Sequence, residues 1–246
     1  MTELAERLLE RFYANDKHPY RHFEEKVLSL LHGEAVLLDA GCGRTAPVLQ
    51  KYRGKARSLI GVDLVEFVDP PADLVLMNSD LVSIPIESAS VDVVMSRSVF
   101  EHLDDPSAVY AEMFRILKPG GRLVFLTANV WDYATMVARL TPNRLHPAIV
   151  AHVEGRAEED VFPTRYRTNS RRAVRRLASQ VGFRVEEIRY LGQYPNYFMF
   201  NGALFFLATC YDKLVSRFEF LKILRGWIMV TLLKPSQVHS PDRRRG

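Results

Sequence analysis

Two acidic residues bracket a glycine-rich turn near the start of the chain, and their spacing could bind a nucleotide. An apolar run ends at Asp39, and Gly41 and Gly43 follow with Cys42 between them. A second apolar run ends at Asp63, 24 residues after the first acid. Strand, glycine turn, helix and strand in this order are typical of a nucleotide-binding βαβ unit.

The acid before the glycines indicates which nucleotide is expected. The third position of the dinucleotide pattern G-x-G-x-x-G is Ala46, which that pattern allows. A carboxylate at Asp39 would repel a pyrophosphate on the turn, but it suits a cation such as the ammonium of an amino acid. Asp63 is placed to accept hydrogen bonds from a ribose diol. These residues favour a ligand with a ribose, no phosphate and a cationic amino-acid arm, which describes S-adenosylmethionine.

Further segments follow in the order of a known family. They are NSDL (78–81), IPI (84–86), SVDVV (90–94), VFEHL (99–103) and RILKPGG (115–121). Over residues 28–128 the chain resembles the class I S-adenosylmethionine-dependent methyltransferases of the small-molecule type, methyltransferase domain 11-like. The resemblance implies an α/β fold with a Rossmann-like, doubly wound sheet of seven strands. The sheet would be mostly parallel with an antiparallel last strand, and a lid would lie between strands 5 and 6.

The resemblance carries a cofactor site over to matching positions of this chain. The residues of the glycine turn would surround the methionine arm, and Asp63 would hold the ribose. Asp80 and Leu81 would flank the adenine, while Ser96 would face the methionine portion from the end of the fourth strand. Cys42 is expected to be a small packing residue and not a nucleophile. The predicted cofactor-binding set is Asp39, Gly41, Cys42, Gly43, Asp63, Leu64, Asp80, Leu81 and Ser96.

Methyl transfer itself needs few catalytic side chains. The sulfonium carries a good leaving group, so the protein contributes chiefly by positioning the reactants and excluding water. A base is required only for a poor nucleophile such as a sugar hydroxyl. His102, beside Glu101, is the first candidate for this base, with a capping or packing histidine as the alternative reading. His146, His152 and Tyr166 are further candidates in the insertion that follows the fifth strand.

The pattern predicts one methyltransferase domain over residues 1–236. It comprises N-terminal helices (1–33), a cofactor-binding core (34–128), an insertion or acceptor lid (129–182), and C-terminal strands with a helix (183–236). A basic tail, 237–246, is expected to be disordered. Predicted strands are 36–39, 58–63, 74–77, 91–96, 122–127, 183–190 and 226–233, and predicted helices include 46–52, 106–117, 131–140, 170–181 and 197–224.

Charge and composition limit which partners and which cellular compartment are expected. The net charge of +4 is too small to imply nucleic-acid binding. Two cysteines provide no disulfide framework, residues 1–7 do not have the pattern of a signal peptide, and polar residues interrupt the longest uncharged run, 190–211. We therefore expect a cytoplasmic protein without a metal, because no group of ligands has metal-binding spacing.

The acceptor is not determined by these patterns. A small molecule, a glycan or a lipid-like compound methylated on a hydroxyl oxygen is favoured. The aromatic stretch 194–207 predicts core or a homodimer face, and a lipid channel or a peripheral membrane contact stays open. Other functions also stay open: a non-catalytic binding module, transfer to carbon or nitrogen of a quinone or polyketide, and RNA methylation. A nicotinamide enzyme is disfavoured by Asp39.

Overall fold

The computed structural model describes residues 2–133, 135–136 and 162–236. Strands and α-helices alternate along these residues, and the strands form one sheet of seven. In chain order the elements are α1 (Glu3–Tyr13), α2 (Pro19–Leu28), β1 (Val36–Ala40), β2 (Ser58–Asp63), β3 (Val75–Asn78), β4 (Val91–Arg97), α3 (Pro106–Ile116), β5 (Leu117–Ala128), α4 (Arg171–Val181), β6 (Arg184–Leu191), α5 (Gly202–Arg217) and β7 (Trp227–Leu233).

The strand order is β3-β2-β1-β4-β5-β7-β6. Strands β1 to β5 pair in parallel, and β7 lies antiparallel between β5 and β6. The predicted seven-stranded, doubly wound sheet is therefore confirmed. The chain runs outward from β1 to β2 and β3 and then returns to β4 on the other side of β1. The strand order therefore reverses between β1 and β4, and the crevice at their carboxyl ends is where such sheets bind ligands.

Two apolar layers cover the two faces of this sheet. Leu37 and Leu38 are adjacent on β1 but pack into different layers, as the alternation of side chains along a strand requires. Helices α3 and α4 cover the face of Leu38, while α2 and the 3₁₀ turn Leu49–Tyr52 cover the face of Leu37. Burial on both faces explains why the central strands have almost continuous apolar sequences.

Several predicted boundaries differ from the structure. The helix expected over 46–52 is only the 3₁₀ turn Leu49–Tyr52, since Ala46 adopts a positive φ of 46° that an α-helix excludes. Residues 118–121, expected between helix and strand, belong to β5, where a shift in register interrupts the pairing with β4. The helix expected over 197–224 is divided into α5 and two 3₁₀ turns, Asn196–Phe198 and Glu219–Leu224. Most of the helix expected over 131–140, and the tail 237–246, lie outside the described residues.

Among the described residues, no helix combines the length and the apolar composition needed to cross a bilayer. The longest helix given above, α5, has 16 residues.

Asn129 fastens the end of β5 to the turn that precedes β7. Its side chain is fully buried, and its amide nitrogen donates to the carbonyl oxygens of Ile223 and Arg225 at 2.6 and 2.7 Å. Its backbone N–H donates to the Gly226 carbonyl at 2.8 Å. One side chain thereby sets where β7 enters the sheet.

We expect Asn129→Ala to lower the free energy of unfolding by about 2–3 kcal/mol, because two partly buried carbonyls lose a fully buried donor. Asn78 offers a matched control, since its exposed amide also donates to two carbonyls, those of Leu64 and Val65. Water can replace those bonds, so Asn78→Ala should cost less than about 1 kcal/mol. Urea unfolding measures both values, and equal losses in the two variants would contradict the assigned role of Asn129.

Candidate functional site

The glycine turn follows β1 and is fitted closely against its neighbours. Gly41 and Gly43 have φ values of +84° and +74°, in the left-handed region that side chains disfavour. The Gly41 N–H donates to the Val62 carbonyl of β2 at 2.8 Å. A Cβ atom at Gly41 would lie 2.3 Å from Cγ2 of Val99, whereas one at Gly43 would meet nothing within 4 Å. The turn is thus closed toward the protein at its first glycine and open at its second.

Asp63 holds this turn in place from the end of β2. One carboxylate oxygen accepts the Gly43 N–H at 2.7 Å, and the other accepts the Val65 N–H at 3.2 Å. The acid predicted to bind a ribose is therefore also the acid that fixes the backbone of the predicted methionine site. The side chain stays partly exposed, so it can accept further donors.

Asp39 lies beneath the turn in a different environment. Its side chain is 3% exposed, and no described donor forms a hydrogen bond with its carboxylate. Burial raises its pKa to about 7; the nearby Asp63 charge raises it further and Arg97 opposes the rise. Arg97 is itself held at the end of β4 by the ring of Tyr20, 4.1 Å from its guanidinium carbon. A cation placed above Asp39 would favour the ionised carboxylate.

The other residues predicted near the methionine arm have structural contacts. Cys42 is buried and its Sγ lies 3.7 Å from the Gly43 carbonyl oxygen. Burial also raises the pKa of this thiol, so it stays protonated and unreactive at neutral pH. The hydroxyl of Ser96 is fully buried and donates to the Ala40 carbonyl at 2.6 Å. It fastens β4 to β1 where both strands end.

The residues predicted near ribose and adenine differ in exposure. Leu64, directly after Asp63, is exposed and presents an apolar surface to solvent. Asp80 is exposed, and its carboxylate accepts the Val82 N–H at 3.1 Å in a local turn. Leu81 is buried in the core layer of α3 and α4, so it supports this turn from below.

Of the predicted bases, the structure brings His102 and Tyr166 together at the carboxyl end of β4. The His102 Nδ1 lies 3.3 Å from the Pro163 carbonyl oxygen. A carbonyl only accepts, so this bond assigns the proton to Nδ1 and leaves the lone pair on Nε2. Tyr166 has a φ of +52°, and its N–H donates to the Glu101 carbonyl at 3.0 Å. His146 and His152 lie outside the described residues.

A buried polar network beside His102 was not predicted. The Thr127 hydroxyl donates to the Glu101 carboxylate at 2.6 Å, and the Asn169 amide donates to the Thr127 hydroxyl at 2.8 Å. The Thr168 hydroxyl donates to the Phe100 carbonyl at 2.8 Å. This network joins the loop after β4, the end of β5 and the segment before α4. The sequence feature that could have indicated this network is Thr127, a polar residue directly after the apolar run 123–126.

Comparison with known proteins gives a matching family. A model of the methyltransferase domain matches residues 38–125. A probable S-adenosylmethionine-dependent methyltransferase of Mycolicibacterium smegmatis is 33% identical over 125 residues, which cover 47% of this chain and 48% of that protein. The malonyl-[acyl-carrier protein] O-methyltransferase of Hahella chejuensis is 47% identical over 49 residues, 20% of this chain and 18% of that protein.

The fold agrees with these matches. The crystal structure of geranyl diphosphate C-methyltransferase from Streptomyces coelicolor superposes with a TM-score of 0.52 at 18% identity, covering 87% of this chain and 75% of that one. That structure contains S-adenosyl-L-homocysteine. Residues 38–125 are therefore similar to the methyltransferase domain, and the chain has the Rossmann-like fold of class I methyltransferases. The chain spans less than half the length of the two curated relatives named above.

Asp39 should make stability depend on pH. Its pKa is about 7 in the folded chain against 3.8 as the ordinary value, so the folded state binds more protons between these values. The free energy of unfolding should therefore fall as pH rises from about 4 through 7, by at most about 4 kcal/mol from this group.

The variant Asp39→Asn removes this titration. We expect it to be more stable than the wild type at pH 8, with the difference shrinking toward pH 5. The exposed Glu66→Gln should leave the pH dependence unchanged. Urea unfolding at several pH values provides the measurement, and parallel curves for Asp39→Asn and wild type would refute the assignment.

Proposed function

We propose that this chain is an S-adenosylmethionine-dependent methyltransferase that transfers the methyl group to a hydroxyl oxygen of a small molecule, glycan or lipid-like acceptor. The observation that carries the proposal is the pair of acids on either side of the open glycine turn. Asp63 is fixed at the rim by Gly43, and Asp39 is buried beneath without a described donor.

The residues fit the cofactor in charge and in shape. Asp39 supplies a buried negative charge where the amino-acid arm and the sulfonium are positive. The turn leaves open space above Gly43, where a ligand can approach the backbone. Asp63 keeps acceptor capacity for a ribose diol, and the exposed Leu64 beside it offers an apolar contact to the adenine. When bound, the cofactor supplies an activated methyl group on sulfur.

The proposed position of the cofactor also assigns a role to the other parts of the chain. In this proposal residues 34–128 bind the cofactor, and the insertion 129–182 contributes the acceptor lid. Its two described ends support this, because the buried Asn169 amide also donates to the Ala128 carbonyl at 2.7 Å. The free thiols of Cys42 and Cys210 agree with a reducing, cytoplasmic location.

His102 is the proposed base for a hydroxyl acceptor. Its Nδ1–H bond to Pro163 leaves Nε2 able to take the proton as the oxygen attacks the methyl carbon. Transfer to oxygen is favoured over transfer to carbon for this reason, although the names of related proteins include both kinds of methyltransferase.

The cofactor proposal is tested by binding of S-adenosylhomocysteine in isothermal titration. Wild type should bind, and Asp63→Ala should weaken binding at least tenfold, because a charged hydrogen-bond acceptor contributes about 1.5–3 kcal/mol. Glu66→Ala, an exposed acid on the same loop, should bind like wild type. Thermal unfolding without ligand separates weak binding from loss of the Gly43 bond. Absence of binding to folded wild type would exclude the proposal.

The role of His102 is tested by methyl transfer to a panel of acceptors with free hydroxyls, such as a phenol, a quinol and a sugar. We expect His102→Ala to lower kcat by about 10²–10⁴-fold, the usual effect of a general base, with cofactor binding unchanged. His102→Gln, which can keep the bond to Pro163 but is not basic, should be equally slow. Undiminished turnover in both variants would remove His102 from the mechanism.

A further inference from the structure

Helix α5 is apolar on two opposite sides. Phe205 and Val215 are buried, and Phe205 packs with Ala5 of α1. On the other side Leu207 is 64% exposed and Leu214 is 53% exposed, and their seven-residue separation places them on one helical face. Apolar helix faces are normally buried, but no described residue buries the outer face of α5.

The chain continues this apolar surface past the end of α5. Phe218 and Ile223 are exposed in the segment 218–224, and Phe220 is 76% exposed. The rings of Phe218 and Phe220 lie 5.7 Å apart. Single exposed apolar residues are ordinary, but a contiguous group marks an interaction surface. We call this group the outer apolar face; it consists of Leu207, Leu214, Phe218, Phe220 and Ile223.

Three cations lie in the same part of the chain as the outer apolar face. Arg217 lies at the end of α5, and Lys222 and Arg225 follow within the next turn. The acid between the two phenylalanines, Glu219, is paired with Lys222 at 2.7 Å and with Arg225 at 3.2 Å. Its negative charge is therefore compensated within the segment.

Helix α4 adds a row of arginines beside the same segment. Tyr190 of β6 packs in the same core layer as Val174 of α4 and lines one groove with Lys222, so α4 and the segment 218–224 border the same strand. The arginines of α4 are exposed, and none forms an ion pair with an acid in the described ranges. They are Arg171, Arg172, Arg175 and Arg176.

We propose that the outer apolar face, with the arginines of α4, binds the surface of a bilayer that contains anionic lipids. Protruding leucines and phenylalanines can enter the boundary between headgroups and acyl chains, while arginines beside them pair with anionic headgroups. The charge distribution favours this occupant over a second copy of the chain. A two-fold contact through the same face would place the arginine rows of the two copies around one interface, where they repel.

The experiment is co-sedimentation of the full chain with vesicles of phosphatidylcholine, with and without phosphatidylglycerol. The wild type should bind the anionic vesicles, and added salt should weaken binding. The double variant Leu207→Ser/Phe220→Ser should bind about tenfold more weakly, because two apolar side chains no longer enter the lipid. Arg171→Gln/Arg175→Gln should bind the anionic vesicles several-fold more weakly than the wild type does. Its binding to vesicles of phosphatidylcholine alone should equal that of the wild type.

Matched controls lie at the opposite edge of the sheet. Val68→Ser/Val75→Ser removes two exposed apolar side chains near β3, and Lys55→Gln/Arg57→Gln removes two exposed cations; both should bind like wild type. All altered side chains are largely exposed, so thermal unfolding midpoints should be unchanged. Failure of wild type to bind anionic vesicles would overturn the proposal. A second result would also overturn it: the wild type is a dimer in sedimentation velocity, Leu207→Ser/Phe220→Ser is not, and the wild type binds no vesicles. That result would assign the face to self-association. Neither result depends on the cofactor site.

Discussion

The hydrogen bond from the Gly43 N–H to the Asp63 carboxylate is the contact on which the site depends. It joins the turn after β1 to the end of β2, so the two strands must be in their observed register before the turn can close. The same carboxylate is the proposed ribose acceptor. Fold and ligand recognition therefore share one side chain, and the positive φ of Gly43 lets its N–H point toward that acid.

A second acid, Asp39, lies below this contact, where burial disfavours the ionised carboxylate. Asp39 lies in the interior with its pKa raised toward neutrality by burial. A buried acid without a compensating donor destabilises the unliganded protein, and a cationic ligand would relieve that cost. We interpret Asp39 as a residue whose unfavourable environment becomes favourable when a positively charged group is bound, which is how a site acquires preference for charge.

At the proposed acceptor edge the protein relies on buried polar groups. Thr127 bonds to both Glu101 and Asn169 beneath the loop that carries His102. This network fixes the C-terminal part of the insertion to residues 34–128. The loop that carries His102 therefore contacts both parts of the chain. The outer apolar face of α5 lies on a different part of the surface, beside the arginines of α4, and gives the chain a second region with a distinct chemistry.

The sequence by itself determined the α/β class, the seven strands to within a few residues and the spacing of Asp39, the glycines and Asp63, because these follow from local periodicity and from backbone conformations that glycine favours. Only the tertiary structure decided that Ser96 and Leu81 support the site from within, that Asp63 clamps Gly43, and that Thr127 and Asn169 meet Glu101. Those contacts join residues up to 56 positions apart, as the bond between Ser96 and Ala40 shows. No local pattern encodes such pairings, since they depend on the order in which the strands assemble into the sheet.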